Sequence, residues 1–205
     1  MRLKRKFFER GAEEVGRDLL GKVLVREIRP PSPGATASRR KIRAIITETE
    51  AYVGEHDLAS HARFGRTKRN EVMYGPAGTV YMYFIYGMYW MMNIVTGRVG
   101  DAQAVLIRGI RTPDENLAVG AVRVMDTLGQ GEMREIGGPG KIAKHLHLDK
   151  SLYGEDLVTS DKLWVESSGK GIGGGNIVAM PRIGVSYAKD WKDRPLRFVL
   201  EKKEK

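Results

Sequence analysis

The segment YMYFIYGMYWMMN, residues 81–93, holds six aromatic residues, four methionines and no charge, in a chain of 205 residues of which 29% are charged. A run this apolar has three structural outlets: a membrane span, a buried strand, or a hairpin that inserts into something. The stretch from Thr79 to Val95 is one membrane thickness at most, and Gly87 and Asn93 interrupt it. Its tyrosines are scattered, whereas a membrane span keeps them at its ends. The span is excluded on these grounds. Residues 78–86 and 89–95 read instead as two strands around a tight turn at Gly87, which supplies the positive φ such turns need.

The segments KVLVREI (22–28) and KIRAIITETEAY (41–52) are rich in Val, Ile and Thr and read as strands, as does AQAVLIRGIRT (102–112). DKLWVES and RPLRFVL read as late strands on either side of the glycine-rich SSGKGIGGGN. Apolar spacing predicts a helix over residues 7–20. A second is expected over 113–126, with Pro113 at its start and acids in its first turn, and a third after GGPGK. Strands outnumber helices without βαβ alternation, so the fold class is α+β. A single domain over residues 1–205 is expected, with a mostly antiparallel, curved sheet, flanking helices and a protruding β-hairpin.

Thirty-five Lys and Arg against 25 Asp and Glu give a net charge of +10 and a pI near 9.8, a balance that favours a polyanionic partner such as nucleic acid. The arginines of RPPSPGATASRR (29–40) are readable as a solvated loop or as DNA contacts. No cysteine is present, which removes disulfides, thiolate nucleophiles, Cys-ligated zinc and iron–sulfur clusters. The basic N-terminus lacks the apolar core of a signal peptide. The expected compartment is the cytoplasm of a prokaryote, associated with the nucleoid through DNA, or the nucleus of a eukaryote.

The stretch ITETEAYVGEHDLASH (46–61) concentrates groups capable of chemistry. In a strand, Glu48, Glu50 and Tyr52 share one face, which is either a solvated surface or a site. His56 and His61 are five apart, which is not the i, i+4 spacing of a helical zinc pair, so no metal is assigned. Serine-nucleophile motifs and a phosphate-binding Walker loop are absent. GGPGKIAKHL (137–146) is either a glycine-rich helix start or the hairpin of a helix-hairpin-helix DNA-binding module, whose backbone N–H groups face a phosphate.

Several segments together, ETEAYVGEHDLASHARFGRTKRN, MYGPAGTVYMYFIYGMYWMMNIV, AVLIRGI, GGPGKIAKHLHLDKS and PRIGVSYAKDWKDRPLRF, resemble in order and spacing the alkyladenine (3-methyladenine) DNA glycosylase family, the mammalian enzyme and its bacterial relatives. The helix-hairpin-helix glycosylases are a different class. The similarity runs from about Phe7 to Phe198. It implies a monofunctional enzyme without cofactor or metal, acting as a monomer on double-stranded DNA that carries a damaged purine. Trp90, Met91, the GRVGD segment and the 29–40 insert depart from the mammalian pattern, which bears on substrate preference.

The resemblance also implies roles. Tyr86, with Met88 and Tyr89 beside it, is the wedge that fills the gap left by an extruded nucleotide. Tyr52, His61 and Tyr83 sandwich the base, whose positive charge is drawn to π faces. Asn93 opposes the 2-amino group of normal guanine, or alternatively caps a strand end. Glu50 is the general base, and Arg108 and the carbonyl of Ile183 position the attacking water. Arg66, Arg69, Arg123, Lys141 and Lys150 hold phosphates. Phe84 and Trp90 are expected to be fully buried. Three rivals are a lesion-binding protein without turnover, a helix-hairpin-helix glycosylase with Asp149 as its carboxylate, and a hydrolase of RNA or free nucleosides, which would need neither a duplex nor Tyr86.

Overall fold

The structure is a computed structural model that describes residues 1–28, 40–85, 87–113, 133–167 and 176–201. Its elements are α1 (Arg5–Phe8), α2 (Ala12–Leu19), β1 (Val23–Ile28), β2 (Arg40–Val53), β3 (Val80–Ile85), β4 (Tyr89–Thr96), β5 (Gln103–Pro113), β6 (Met133–Gly137), α3 (Pro139–His145), β7 (Leu163–Glu166), β8 (Ile177–Met180) and β9 (Arg197–Leu200). Among the described residues all nine strands join one antiparallel sheet, in the order β3-β4-β5-β2-β1-β7, with β6 on β5, β9 on β2 and β8 on β9. The α+β class with a mostly antiparallel sheet is what the sequence led us to expect.

Two long strands carry the architecture because each changes partner along its length. The first part of β2 pairs with β1, and Glu48–Glu50 pair with β9. The other edge of β2 runs along β5, with register shifts on both sides of Glu48. Such a bulge bends the strand and increases its twist. Gly109 makes the bend sterically possible, since a Cβ there would lie 2.7 Å from the Glu48 Cβ. The first part of β5 pairs with β4 and the last part with β6.

Helix α2 lays Ala12, Val15, Gly16 and Leu19 on the sheet and keeps Glu13 and Glu14 in its first turn, where the helix dipole favours acids. Gly16 meets the Phe198 ring, and its carbonyl accepts a 2.8 Å hydrogen bond from the Thr49 hydroxyl. The helix expected over residues 7–20 is two helices. The Gly97 N–H takes the carbonyls of Phe8 and Arg10, and the extended Gly11 caps α2. Pro113 ends β5 opposite Met133 and does not start a helix there, a strand-end position where its missing N–H is tolerated. The helix expected beyond it falls on residues 114–126, outside the described residues.

The hairpin protrudes for a topological reason. Strand β4 pairs with β5 only from Asn93 to Thr96, so β3 is the one strand that pairs with its first half, while Gly140 of α3 packs against the Tyr89 ring. Gly87 has φ +65°, as the turn requires. Phe84 and Trp90 are not fully buried. Their rings stack on each other with centroids 4.6 Å apart, Phe84 is 38% exposed, and Trp90 is half-buried, because no third strand covers this end of the ribbon.

Candidate active site

A cleft of about 660 Å³ opens at the base of the hairpin, and β2, β3, β4 and β5 all supply residues to its wall. Strand β2 presents Glu50 and Tyr52 by the two-residue repeat of a strand. β3 contributes Tyr83, β4 contributes Asn93, and β5 contributes Leu106 and Arg108. His61 arrives on a short 3-10 turn (His61–Phe64) capped by the Ser60 hydroxyl. Buried Asn70 braces that turn by donating to the carbonyls of His61 and Gly65. Ile183 completes the wall from the loop between β8 and β9.

The Glu50 carboxylate has no solvent exposure. It accepts hydrogen bonds from the Ile183 N–H at 2.8 Å and the Tyr52 hydroxyl at 3.0 Å. Arg108 Nε stands 3.5 Å from Glu50 and 3.2 Å from Glu48, and Arg197 donates to Glu48 at 2.9 Å. Burial raises the Glu50 pKa, with Arg108, the Ile183 N–H, Tyr52 and Arg182 acting in the opposite sense. Tyr52 is pushed well above its ordinary value, first by burial and then by the Glu50 charge, and so remains a neutral donor.

The same cleft holds an aromatic pair. The His61 and Tyr83 rings are 3.9 Å apart at 42°, and His61 Nδ1 is 3.1 Å from the Tyr81 hydroxyl. Burial, then Arg69 and Arg63, hold the His61 pKa down to about 4, so its ring is uncharged at neutral pH. Arg69 lies 4.4 Å from the Tyr83 ring centre and donates to the Phe84 carbonyl. Asn93 is buried, donates to the Tyr81 carbonyl at 3.3 Å and lines the cleft; it sits within β4 between Tyr81 and Leu106 and does not cap a strand end.

Glu50, Arg108, Ile183, Tyr52, His61, Tyr83 and Asn93 thus meet in one cleft. The contact that Ile183 makes with Glu50 is through its N–H. Of the residues expected to hold DNA, Met88 is 66% exposed at the hairpin turn, Arg66 is exposed and paired with Glu71, and Lys141 and Lys150 are exposed on α3 and a following 3-10 turn. Tyr86 and Arg123 lie outside the described residues. His56 packs its ring edge on Trp191, away from His61. Asp149 caps Ser151 and does not line the cleft, and GGPGK follows strand β6, so the helix-hairpin-helix reading fails.

One buried group escaped the sequence reading. Arg182 donates to both Asp57 oxygens at 2.6 and 2.8 Å and to the Ala51 carbonyl at 2.8 Å, and its guanidinium lies 4.8 Å from the Tyr52 ring centre. Both members of the ion pair are fully buried. The pair clamps the Ile183 loop to β2. Nothing local announces it, because 125 residues separate its members.

Taken together, the fold and the cleft set a buried carboxylate beside aromatic faces, the class of site that base-removing hydrolases need. The model of the methylpurine-DNA glycosylase family matches residues 6–204, and the chain belongs to that family. It is 41% identical to a protein of Desulfitobacterium hafniense over 98% of this chain and 95% of the relative. It is 40% identical to one of Legionella pneumophila (98% and 94%) and 42% identical to one of Methanocella arvoryzae (96% and 90%). All three carry the name "Putative 3-methyladenine DNA glycosylase". The family makes the protein a DNA glycosylase, a hydrolase with a DNA substrate. Among the described residues no helix is long and apolar enough to cross a membrane.

Proposed function

We propose that the whole chain acts as one catalytic domain, a monomeric, monofunctional base-excision-repair enzyme. It flips alkylated or deaminated purines (3-methyladenine, 7-methylguanine, hypoxanthine, ethenoadenine) out of duplex DNA and hydrolyses their N-glycosidic bond. The observation that carries this reading is the Glu50 carboxylate, buried, held by two donors and set in the wall of an aromatic cleft.

The extruded base lies between Tyr52 and the His61–Tyr83 pair. Uncharged His61 adds no repulsion against a cationic purine, and the π faces attract it. Asn93 meets the edge at which normal guanine carries its amino group. As the C1′–N bond breaks, its electron pair leaves with the base, and positive charge spreads over C1′ and the ring oxygen. Glu50 stabilises that charge and takes a proton from the water whose oxygen bonds to C1′. Arg108 and the Ile183 carbonyl orient that water. An alkylated purine departs as a neutral base, whereas hypoxanthine and ethenoadenine need a proton to leave. The product is an intact strand with an abasic site. Tyr86 and Met88 occupy the vacated stack, and Arg66, Arg69, Arg123, Lys141 and Lys150 grip phosphates.

Single-turnover excision on duplexes bearing hypoxanthine, ethenoadenine or normal adenine, and on alkylated DNA, tests the proposal with wild type and Glu50→Gln. Lesion-dependent excision by wild type alone, with strand cleavage only after hot alkali, is expected. Tight lesion binding by both proteins without excision of any substrate would establish a binding protein instead.

A further inference from the structure

A second cleft, of about 490 Å³, lies on the other side of the turn that carries Pro139. Arg40, Arg134, Lys141, Lys144 and His147 line it, together with Glu135. Glu135, its one carboxylate, is paired with Arg111 and so adds little net negative charge. Other described cations, by contrast, have a carboxylate partner: Arg5 with Asp156, Arg10 with Glu14 and Asp18, Arg43 with Glu166, and Lys162 with Glu155. Among the described residues no carboxylate lies within ion-pair distance of Arg134, Lys141 or Lys144. Clustering these cations around a single carboxylate that Arg111 already pairs costs mutual repulsion that a bound anion relieves.

The position of the cleft says which anion. Pro139 lines the base cleft, whereas Gly137 and Lys141, two residues to either side, line the basic one. The Gly138 N–H hangs this turn on the carbonyl of Arg108, itself in the base cleft. Lys141 and Lys144 stand three apart on one face of α3, while Ile142 and Ala143 anchor the helix in the core.

Resting on the glycosylase reading above, we infer that this cleft is a second backbone site, taking the phosphodiesters on one flank of the lesion next to the flipped base. Arg134 and Lys144 are its main cations, and neither belongs to the base cleft. The site makes binding lopsided: duplex on one side of the lesion counts for more than duplex on the other.

The test is fluorescence anisotropy of Arg134→Gln/Lys144→Gln against wild type. Both residues are exposed, so thermal unfolding serves as the folding control. On undamaged duplex the magnitude of the slope of log K against log salt is expected to drop by roughly two in the variant, about one per lost phosphate contact. Affinity at low salt is expected to fall about tenfold or more. Shortening the duplex from one end towards the lesion weakens wild type, while the variant is indifferent to that end; shortening from the other end affects both alike. An unchanged slope, or equal sensitivity to both ends in wild type, overturns the inference. Full displacement of wild type from duplex by millimolar inorganic phosphate, with the variant binding DNA as well as wild type, would make the cleft a small-phosphate site instead. Because binding to undamaged duplex is read separately, failure of wild type to excise any lesion would sink the catalytic proposal without touching this one.

Discussion

Replacing Arg182 by methionine removes a guanidinium and keeps most of its volume, leaving Asp57 charged and fully buried. Breaking a buried pair from one side costs about 3–5 kcal/mol, because the remaining charge has neither water nor partner. Asp57 retains the N–H groups of Val53 at 3.2 Å and Ala59 at 2.9 Å, which argues for the lower half of that range. For a chain of this size each kcal/mol moves the melting temperature by about 2–4 °C, so a drop of about 6–16 °C is expected. Circular dichroism melts at pH 7 read it. The double variant Arg182→Met/Asp57→Leu removes both charges and is expected to recover most of the stability, since apolar replacement of a buried pair is often neutral. Its single-turnover excision should nevertheless stay slow, because the Ile183 N–H is no longer clamped against Glu50. A melt of Arg182→Met within about 1 °C of wild type would refute the buried-pair argument. Recovery of rate together with stability in the double variant would show that Arg182 acts through folding alone.

Excision of a cationic purine is expected to lose rate on the acid side with a midpoint above the ordinary glutamate value, since burial raises Glu50 and only its ionised form accepts a proton; a limb at or below about 4.3 would count against this assignment. The same shift has a stability consequence: with the folded pKa raised, Glu50 stabilises the fold at low pH and loses that contribution as pH rises through the raised value. Wild type should therefore gain on Glu50→Gln in melts as pH falls through that value. His61 behaves oppositely, its pKa being depressed to about 4, so stability in denaturant titrations should decline from pH 6.5 down to about 4, and His61→Phe should lack that component. Gly109→Ala sets a Cβ 2.7 Å from the Glu48 Cβ and 3.2 Å from its backbone nitrogen; a loss of roughly 1–3 kcal/mol by urea unfolding is expected, with slower excision as the bulge shifts Glu50.

Where a signal lies within a few residues, the sequence by itself determined the outcome. The hairpin followed from an uncharged aromatic run around Gly87, and the shared face of Glu48, Glu50 and Tyr52 from the two-residue period of a strand. Strands β1, β2, β5, β7 and β9 were legible from their β-branched and apolar content. Residue order and spacing pointed to the family before any coordinate did. Tertiary structure decided what depends on a distant partner. Strand β6 buries only Ile136 and β8 is a short edge strand, so neither has a burial pattern to read. The break between α1 and α2 depends on Gly97 arriving to take two carbonyls, and the half-exposure of Phe84 and Trp90 on β5 stopping short of them. The Arg182–Asp57 clamp and the basic cleft beside α3 came only with the fold. Periodicity records which side of an element is buried, but burial of a charge is set by the energy of its pairing, and that pairing exists only once remote segments meet.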